Sequence, residues 1–269
     1  MTEGLWYKPH TVSQGEDLLQ AIETPTAYEI VGEHLRQAIH VGSFIPGDRL
    51  PPERELARQL AISRGTLREA LRILQGSGYV RPVRGSAGGY EVLEIPSPSQ
   101  RAGPSLDSHI AEFDALLEFR LAIEGATVSR AARRRDNTDL RRMEQAHSEL
   151  KMTVSLASFR RADSLFHLAI AEAAKNHLLF QAVYEARAAM FLPMDAVGPD
   201  INVETTLKGH ADILAAIEAR NPVAARQALA RHLAVARREV RRAALRSNNS
   251  MEARKQLGAK WPIRHRVDT

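Results

Sequence analysis

The chain has 269 residues, no cysteine, an aromatic share of only 5% and a formal net charge of +5. Its length allows two compact domains, and the lack of cysteine excludes disulfides and thiolate metal sites, as is typical of a reducing compartment. We find no apolar run near the roughly 18 residues of a membrane helix and no signal-peptide pattern, so we expect a soluble, cytoplasmic protein with no membrane partner.

The N-terminal part of the chain contains short elements of mixed type. We expect residues 1–25 to form a loosely ordered extension and residues 26–96 to form one domain. An amphipathic helix is predicted over 26–43, and two shorter helices follow the helix-breaking segment FIPGDRLP. Two strands are predicted at 79–83 and 90–95, on either side of the glycine-rich turn RGSAGG.

The segment ERELARQLAISRGTLREALRIL, which begins at Glu53, has the pattern of two crossed helices. A short helix from Glu53 to Ala61 is followed by Ile62 in the turn and by Ser63, a good N-cap for the second helix. Apolar residues suited to pack these helices together recur through the segment: Leu56, Leu60, Ile62, Leu67, Leu71 and Leu74.

Arginines at intervals of four residues, Arg64, Arg68 and Arg72, form a row on the other side of the second helix. The first turn of a recognition helix enters the major groove, where guanidinium groups bond guanine edges or phosphates. For any single arginine, a solvated charged face on an ordinary helix is the alternative. The combination of spacing, N-cap, apolar set and a following hairpin that would form a wing favours DNA binding.

The stretch from about Thr26 to Glu94, with LPPERELA, ISRGTLREALRIL and the glycine turn, resembles the GntR family of bacterial regulators. The resemblance implies a winged helix-turn-helix. It also implies DNA contacts at the recognition helix and the wing: Arg54, Ser63, Arg64, Gly65, Thr66, Arg68, Gly88 and Gly89. Pro52 stands where the family more often has a small hydroxyl residue; because proline suits a helix start, we expect a changed cap and an unchanged fold.

The segment SPSQRAGPS (97–105), rich in proline and serine, is the predicted linker. Residues 106–246 are then expected to form an all-helical bundle for ligand binding and dimerisation. Asn137 or Thr138 would cap the second helix of the bundle, and Pro222 would lie in the first turn of the last. Six helices are predicted, at 108–134, 138–152, 156–175, 177–195, 204–220 and 222–245.

The net positive charge is concentrated at the C-terminal end of the chain. Residues 237–269 hold ten basic and three acidic side chains. We expect residues 247–269 to be a loosely ordered, solvated extension. The net charge therefore says little about DNA binding, and that prediction rests on the arrangement of the arginines.

Four residues of the predicted bundle are candidate metal ligands. Asp163 and His167 are four residues apart, so a helix places them on one face, while His210 and His232 lie in the last two helices. If these helices face one another, one carboxylate and three imidazoles converge, a set that suits Zn, Ni, Fe or Mn. Polar residues on unrelated solvent faces are the alternative. Surface or capping positions are expected for the other histidines: His34, His40, His109, His147, His177 and His265.

The motifs EFRLAIEGATVSRAA, ADSLFHLAIAEAAKN and KGHADILAAIEARN, within roughly 108–245, resemble the FCD effector domain of the FadR-type branch of that family. The resemblance implies the four-residue metal site and a ligand-binding role for Arg120, whose guanidinium would clamp a carboxylate. An ion pair between Arg120 and Glu124 is the alternative. Asn176, although it matches another family position, is expected to cap a helix end.

Together these patterns predict a mostly α protein, an N-terminal winged helix-turn-helix followed by a helical bundle. The predicted function is a homodimeric transcription repressor that binds double-stranded operator DNA. It would be controlled by a small organic acid bound near a divalent metal ion, with zinc as the first candidate. One alternative makes the metal itself the signal. Another makes the bundle a metallohydrolase, but we find no HExxH or comparable catalytic motif and expect no enzymatic activity.

Overall fold

The computed structural model of the chain describes residues 24–84, 89–94, 106–197 and 202–258. Within these ranges the protein is mostly helical, as predicted, and has one small antiparallel sheet. The N-terminal elements are α1 (Ala27–Val41), α2 (Glu53–Gln59), α3 (Arg64–Gly76), β1 (Val80–Val83) and β2 (Gly89–Val92). The C-terminal elements are α4 (Leu106–Arg134), α5 (Asn137–Lys151), α6 (Leu156–Ala173), α7 (His177–Val197), α8 (Val203–Glu218) and α9 (Pro222–Gly258).

The N-terminal elements form a three-helix unit with a hairpin, and α1 packs across α3. Their shared core is built from the apolar faces that the sequence predicts, with Leu35, Leu67 and Leu71 almost fully buried. In the hairpin, Val80 pairs with Val92 and Val83 with Gly89. The wing turn at 85–88, which includes Gly88, the linker at 97–105 and residues 1–23 lie outside the described residues.

The C-terminal helices pack into a bundle in which α4 contacts α6, α7, α8 and α9. One continuous apolar core joins them, with Phe113, Phe166 and Ile213 at most 1% exposed. In the described ranges, no helix combines the length and the apolar character needed to cross a membrane.

Three details of the bundle differ from the sequence predictions. The N-cap of α5 is Asp136, because its backbone is extended and its carboxylate accepts the backbone N–H groups of Thr138 and Asp139 at 2.7 and 2.9 Å. Helix α9 begins at Pro222 as predicted but continues to Gly258, so part of the supposed loose tail is helical. Helix α7 reaches Val197, two residues beyond the predicted end at residue 195.

The two halves of the chain touch where α1 ends against α6 and α7. Gly42, the C-cap of α1, has a φ of +86°, and a Cβ there would lie 2.7 Å from Arg161 Cα. Beside it, His40 Nδ1 lies 3.2 Å from the carbonyl oxygen of Ala188 in α7, and Nε2 lies 3.1 Å from the Tyr79 hydroxyl. The expectation of a surface or capping role for His40 is wrong, because this ring is 3% exposed and joins the two halves.

Candidate DNA-binding surface and metal centre

The start of α3 is held in place by its cap and by its buried face. Ser63 is the N-cap, as predicted, and its Oγ accepts the backbone N–H of Thr66 at 3.0 Å. The preceding Ala61 has a φ of +53°, which turns the chain sharply between α2 and α3. Leu67, Leu71 and Leu74 are buried, so the opposite face of α3 is turned outward.

The arginine row Arg64, Arg68 and Arg72 is exposed along that outward face. Arg68 Nε donates to Glu53 Oε2 at 2.8 Å, and Arg72 Nη1 donates to Glu69 Oε1 at 2.7 Å. Exposed ion pairs of this kind contribute little free energy, so the guanidinium groups can exchange these carboxylates for phosphates or base edges.

The other residues predicted to contact DNA lie near this face. Arg54 is exposed at the start of α2, and Thr66 is half-buried with its hydroxyl 2.9 Å from Ser63 Oγ. Gly65 is exposed in the first turn of α3, and Gly89, with a φ of +143°, begins β2. Of the predicted set, only Gly88 falls in the part of the chain that is not described.

The four candidate metal ligands converge inside the bundle. Asp163 and His167 come from α6, His210 from α8 and His232 from α9. Each offers one ligand atom, and these atoms all lie within 4.8 Å of one another. All four residues are at most 9% exposed, so the alternative of polar residues on unrelated solvent faces does not hold.

The nitrogen atoms of this cluster fit a metal ion. His167 Nδ1 lies 2.7 Å from Glu124 Oε2, which leaves Nε2 on the side of the cluster, and this Nε2 has no hydrogen-bond partner. Both ring nitrogens of His210 also lack a hydrogen bond, although Nε2 lies 3.2 Å from Asp163 Oδ1. Buried polar atoms normally have partners, so orphaned imidazole nitrogens beside a carboxylate indicate a place for a cation.

Burial also keeps the imidazoles in the form that binds metals. It lowers the pKa of His167 to about 4, even though the Glu124 carboxylate acts in the opposite direction. Burial likewise lowers the pKa of His210, and it lowers that of His232 well below its usual value. Neutral imidazole is the ligand for a metal ion, so no proton has to be displaced from these rings at neutral pH.

Arg120 forms the ion pair with Glu124 that was the alternative considered for it, and its ligand-binding role stays a prediction. It is 1% exposed, its Nε and Nη2 donate to the two oxygens of Glu124, and its Nη1 lies 2.7 Å from Met190 Sδ. Burial opposes ionisation of Glu124, but the charge of Arg120 and the hydrogen bonds from Arg120 and His167 outweigh it and hold its pKa far below the usual range. Glu124 therefore orients both Arg120 and His167.

Arg187 of α7 is a residue of this centre that the sequence analysis missed. It is 1% exposed, its Nη2 donates to Asp163 Oδ2, and the same nitrogen lies 3.2 Å from Ser164 Oγ. Burial opposes ionisation of Asp163, but the Arg187 charge outweighs it and holds the pKa of that carboxyl well below its usual value. A signal was available: Arg187 lies among the apolar residues of VYEARAAM, where a solvated arginine is not expected.

A close approach of α8 to α9 positions His232. Gly209, directly before His210, has no side chain, and a Cβ there would lie 2.6 Å from His232 Nδ1. Phe166 stacks on the His210 ring, with centroids 3.9 Å apart and planes 11° from parallel. Asn176, as predicted, caps a helix: its Oδ1 accepts the backbone N–H groups of Leu178 and Leu179.

The other predicted surface histidines divide into two groups. His34 and His177 are exposed, in line with that prediction. His147 is half-buried, and its ring centroid lies 6.4 Å from that of His210, so its place at the edge of the cluster differs from the prediction. His109 is also half-buried, with Nδ1 3.9 Å from Glu112 Oε2. His265 lies beyond the described residues.

Two families match the chain. Residues 27–88 match the family described as "Bacterial regulatory proteins, gntR family", and residues 115–235 match the family described as "FCD domain". The first match contains the arginine row, and the second contains the four candidate metal ligands, Arg120 and Arg187.

Curated proteins similar along most of the chain are bacterial regulators. The chain is 32% identical to the "Uxu operon transcriptional regulator" of Escherichia coli, covering 77% of this chain and 83% of that protein. It is 31% identical to the "HTH-type transcriptional repressor NanR" of Cronobacter sakazakii, covering 82% and 91%. Among solved structures, E. coli McbR/YncC aligns with a TM-score of 0.50 at 19% identity, covering 81% of this chain and 99% of that one, a likeness of fold alone.

Proposed function

This chain belongs to the GntR family of bacterial regulatory proteins and carries an FCD domain, and from that premise we propose that it represses transcription until a small organic acid binds beside a metal ion in its bundle. As a member of that family it is a DNA-binding transcription regulator and not an enzyme. The observation that carries the proposal is the convergence of Asp163, His167, His210 and His232 inside the FCD match. The relative named as a repressor supports the direction of control.

In this proposal residues 26–96 bind operator DNA. The first turn of α3 inserts into the major groove, where Arg64, Arg68 and Thr66 contact bases or phosphates and Gly65 allows close approach. Arg54, at the start of α2, contacts the sugar-phosphate backbone of the DNA. The wing, from which Gly89 is described, lies along the adjacent groove.

Residues 106–246 bind the effector in this proposal. The carboxylate of Asp163 and three neutral imidazoles hold a divalent cation, with Zn first and Ni, Fe or Mn as the other candidates. The ion supplies a positive charge that attracts a carboxylate when it is bound. Glu124 fixes the orientation of His167, and Arg120, which Glu124 also orients, donates to the acid.

The bundle also carries a face suited to a second copy of the chain. A row of exposed apolar side chains runs along one side of α4: Ala111, Ala115, Phe119, Ala122 and Ala126. Phe119 is 48% exposed there. Small residues with one aromatic allow two helices to approach closely, so two bundles joined along α4 would present two recognition helices to a palindromic operator.

A second candidate function makes the metal itself the signal. The orphaned nitrogens of His167 and His210 favour it, because loading a cation would satisfy buried groups that are otherwise unpaired and would stabilise one packing of the bundle. In the first candidate an organic acid releases the operator, whereas in the second a change in metal occupancy alone alters operator binding.

The test is operator binding by the full chain, measured by fluorescence anisotropy on its own promoter DNA. Zinc-loaded and chelator-dialysed protein are compared, each with and without a panel of organic acids. We expect zinc-loaded protein to release DNA only when an acid is added, and chelated protein to bind DNA without responding. Release or capture of DNA by chelation alone supports the metal-signal candidate. A chelated protein that still responds to an acid contradicts the role proposed for the metal.

A matched pair of variants distinguishes the loss of a metal ligand from the loss of any histidine in the bundle. His210→Ala removes a buried candidate ligand, whereas His177→Ala removes an exposed histidine at the start of α7. We expect only His210→Ala to lose the response to acid. An unchanged response in His210→Ala would exclude the cluster as the effector site.

A further inference from the structure

Two buried guanidinium groups from different helices meet at one methionine sulfur. Arg120 extends from α4 and Arg187 from α7, and each is 1% exposed. The Nη1 atoms of Arg120 and Arg187 lie 2.7 and 3.7 Å from Met190 Sδ. Met190 is itself 5% exposed, so this meeting point is enclosed by protein.

A thioether is a poor partner for these groups. Its sulfur is a weak acceptor, whereas a guanidinium presents a planar set of donors that matches the two oxygens of a carboxylate. Methionine is also unbranched, with three rotatable side-chain bonds, and it moves at low cost. The Met190 thioether therefore stands where a stronger acceptor, an anionic oxygen, would be bound better.

Arg187 has a second contact that connects this point to the metal cluster. Its Nη2 donates to Oδ2 of Asp163, the one carboxylate among the four candidate ligands. The histidines of the cluster face the other oxygen of Asp163, with His210 Nε2 3.2 Å from Oδ1, so a guanidinium and a divalent cation would share the single negative charge of this carboxylate. Binding of the cation would weaken the hold of Asp163 on Arg187 and leave this guanidinium more attractive to an added anion.

The buried charges also limit the charge of the ligand. The guanidinium groups of Arg120 and Arg187 form ion pairs with the carboxylates of Glu124 and Asp163, so two positive charges face two negative charges. The histidines bind a metal as neutral imidazoles. A divalent cation would therefore leave the site with an excess of two positive charges, and buried charge is stable only when it is compensated. An acid with two negative groups supplies that compensation, whereas an acid with one does not.

We propose that Arg187 is a second anion-binding residue of this site, that the Met190 side chain occupies the anion's place until the ligand enters, and that the site selects dicarboxylates over monocarboxylates. The proposal rests on the function proposed above and deepens it. One carboxylate of the ligand is bound between Arg120 and Arg187 in place of the Met190 thioether, and the other lies toward the metal cluster.

Isothermal titration of the zinc-loaded full chain tests the charge selection. Acids are compared in pairs of equal chain length: malonate with propionate, succinate with butyrate and glutarate with valerate. The best dicarboxylate should bind at least about tenfold more tightly than its monocarboxylate partner, because it makes an additional charge-assisted contact. Arg187→Gln should bind that dicarboxylate at least about tenfold more weakly and lose most of the preference.

Zinc affinity separates this role of Arg187 from a merely structural one. It is measured in the absence of acid, by competition with a chromogenic chelator. Arg187→Gln removes the competitor for Asp163, so its zinc affinity should equal or exceed that of the wild type, whereas a damaged fold would lower it. Arg142→Gln removes an exposed arginine, paired with Glu172 on the surface, and should change neither affinity.

The position of Met190 is tested by NMR of protein labelled with ¹³C at the methionine methyl groups. The Met190 signal is assigned as the one missing from Met190→Leu. It should shift when the dicarboxylate binds, while the signal of Met152, which is 79% exposed, should not. Met190→Ala should bind the dicarboxylate more tightly than wild type, since no side chain has to be displaced.

The outcomes distinguish this proposal from the one on which it rests. A wild type that binds zinc and the dicarboxylate, with unchanged dicarboxylate affinity in Arg187→Gln, overturns the role of Arg187 alone. Equal affinity for the paired acids overturns the charge selection. An unshifted Met190 signal at saturation overturns the displacement. A wild type that binds neither zinc nor any acid contradicts the proposed function, and this inference with it.

Discussion

Glu124 contacts both Arg120 and His167, and its negative charge balances the buried guanidinium of Arg120 beside the candidate metal centre. Its two oxygens accept from Arg120, Oε2 also lies 2.7 Å from His167 Nδ1, and its side chain is 3% exposed. A carboxylate that accepts from the outer ring nitrogen of a metal-binding histidine fixes the orientation of the ring and increases its basicity. The pKa of Glu124 lies far below its usual range, because the charge of Arg120 and the hydrogen bonds from Arg120 and His167 outweigh the effect of burial. The group is therefore anionic at any physiological pH.

We predict that Glu124→Gln lowers zinc affinity by about 10- to 100-fold, because the glutamine keeps the shape but not the charge of its partner on His167. It should also lower the free energy of unfolding by roughly 3 kcal/mol or more, since Arg120 is left as an uncompensated buried charge. Chelator competition and urea unfolding measure the two effects. Glu118→Gln, on the exposed side of α4, is the control, and equal zinc affinity in both variants would contradict the prediction.

Gly209 is required for a different reason, the space that it leaves for His232. We predict that Gly209→Ala weakens zinc binding by at least about tenfold, because a Cβ 2.6 Å from Nδ1 must push the imidazole out of the cluster. Gly76→Ala is the matched control, since a Cβ there meets nothing within 4 Å. The control should be neutral or stabilise the helix by up to about 1 kcal/mol. Comparable zinc affinity in the two variants would show that the close approach is not needed.

At the scale of the element, α3 combines a buried leucine face, a serine cap and an exposed arginine row. The cap matters for the proposed DNA binding because it fixes where the helix begins, and the first turn is the part proposed to enter the groove. Arg68 is held by Glu53 of α2 at 2.8 Å, so the side chain is partly ordered before DNA arrives.

We predict that replacing both Arg64 and Arg68 with alanine reduces the preference for the native promoter over unrelated DNA by at least about tenfold, since each base contact contributes about 1–3 kcal/mol of discrimination. Competition binding at fixed salt measures the ratio, and circular dichroism checks that the helices are intact. Arg72→Ala, farther from the helix start, should affect specificity much less. A folded double variant with full specificity would refute the assignment of α3 as the recognition helix.

At the scale of the whole molecule, the contact between the two halves passes through His40. Its ring nitrogens meet the Ala188 carbonyl of the bundle and the Tyr79 hydroxyl of the DNA-binding half. Ala188 directly follows Arg187 in α7. Within one turn of this helix, the Arg187 side chain contacts the candidate ligand site and the Ala188 carbonyl contacts His40 of α1. Burial, aided by the charge of Arg36, lowers the pKa of His40 to about 3.

This depressed pKa gives a pH dependence with a definite sign. In the unfolded chain His40 takes up a proton near its ordinary pKa of 6.5, whereas in the folded protein it does so only near 3. Acid therefore favours the unfolded state, and stability should fall as the pH is lowered from about 6.5 towards 3. His40→Gln keeps polar contacts but does not titrate, so its melting temperature should fall less between pH 7.5 and 4.5. If the melting temperatures of the two proteins fall by the same amount between pH 7.5 and 4.5, this role of His40 is contradicted.

Much of this molecule follows from periodicity and local chemistry. The leucine spacing and Ser63 define α2, the turn and α3, because a cap and one apolar face suffice to set a short helix. The i, i+4 spacing of Asp163 and His167 places both on one face of α6 for the same reason. The resemblance of the bundle motifs added His210, His232 and Arg120, which spacing alone left open.

Only the tertiary structure decides which side chains meet across helices. His40, Glu124 and the pair Arg187 and Met190 lie on three separate helices, α1, α4 and α7, and their roles come from the approach of these helices and α6 to one another. Helical spacing fixes the face of a helix but not its neighbour, so the apolar surroundings of Arg187 in the sequence indicate burial but do not show which groups it contacts. The physical reason is that burial and charge compensation are set by residues distant along the chain.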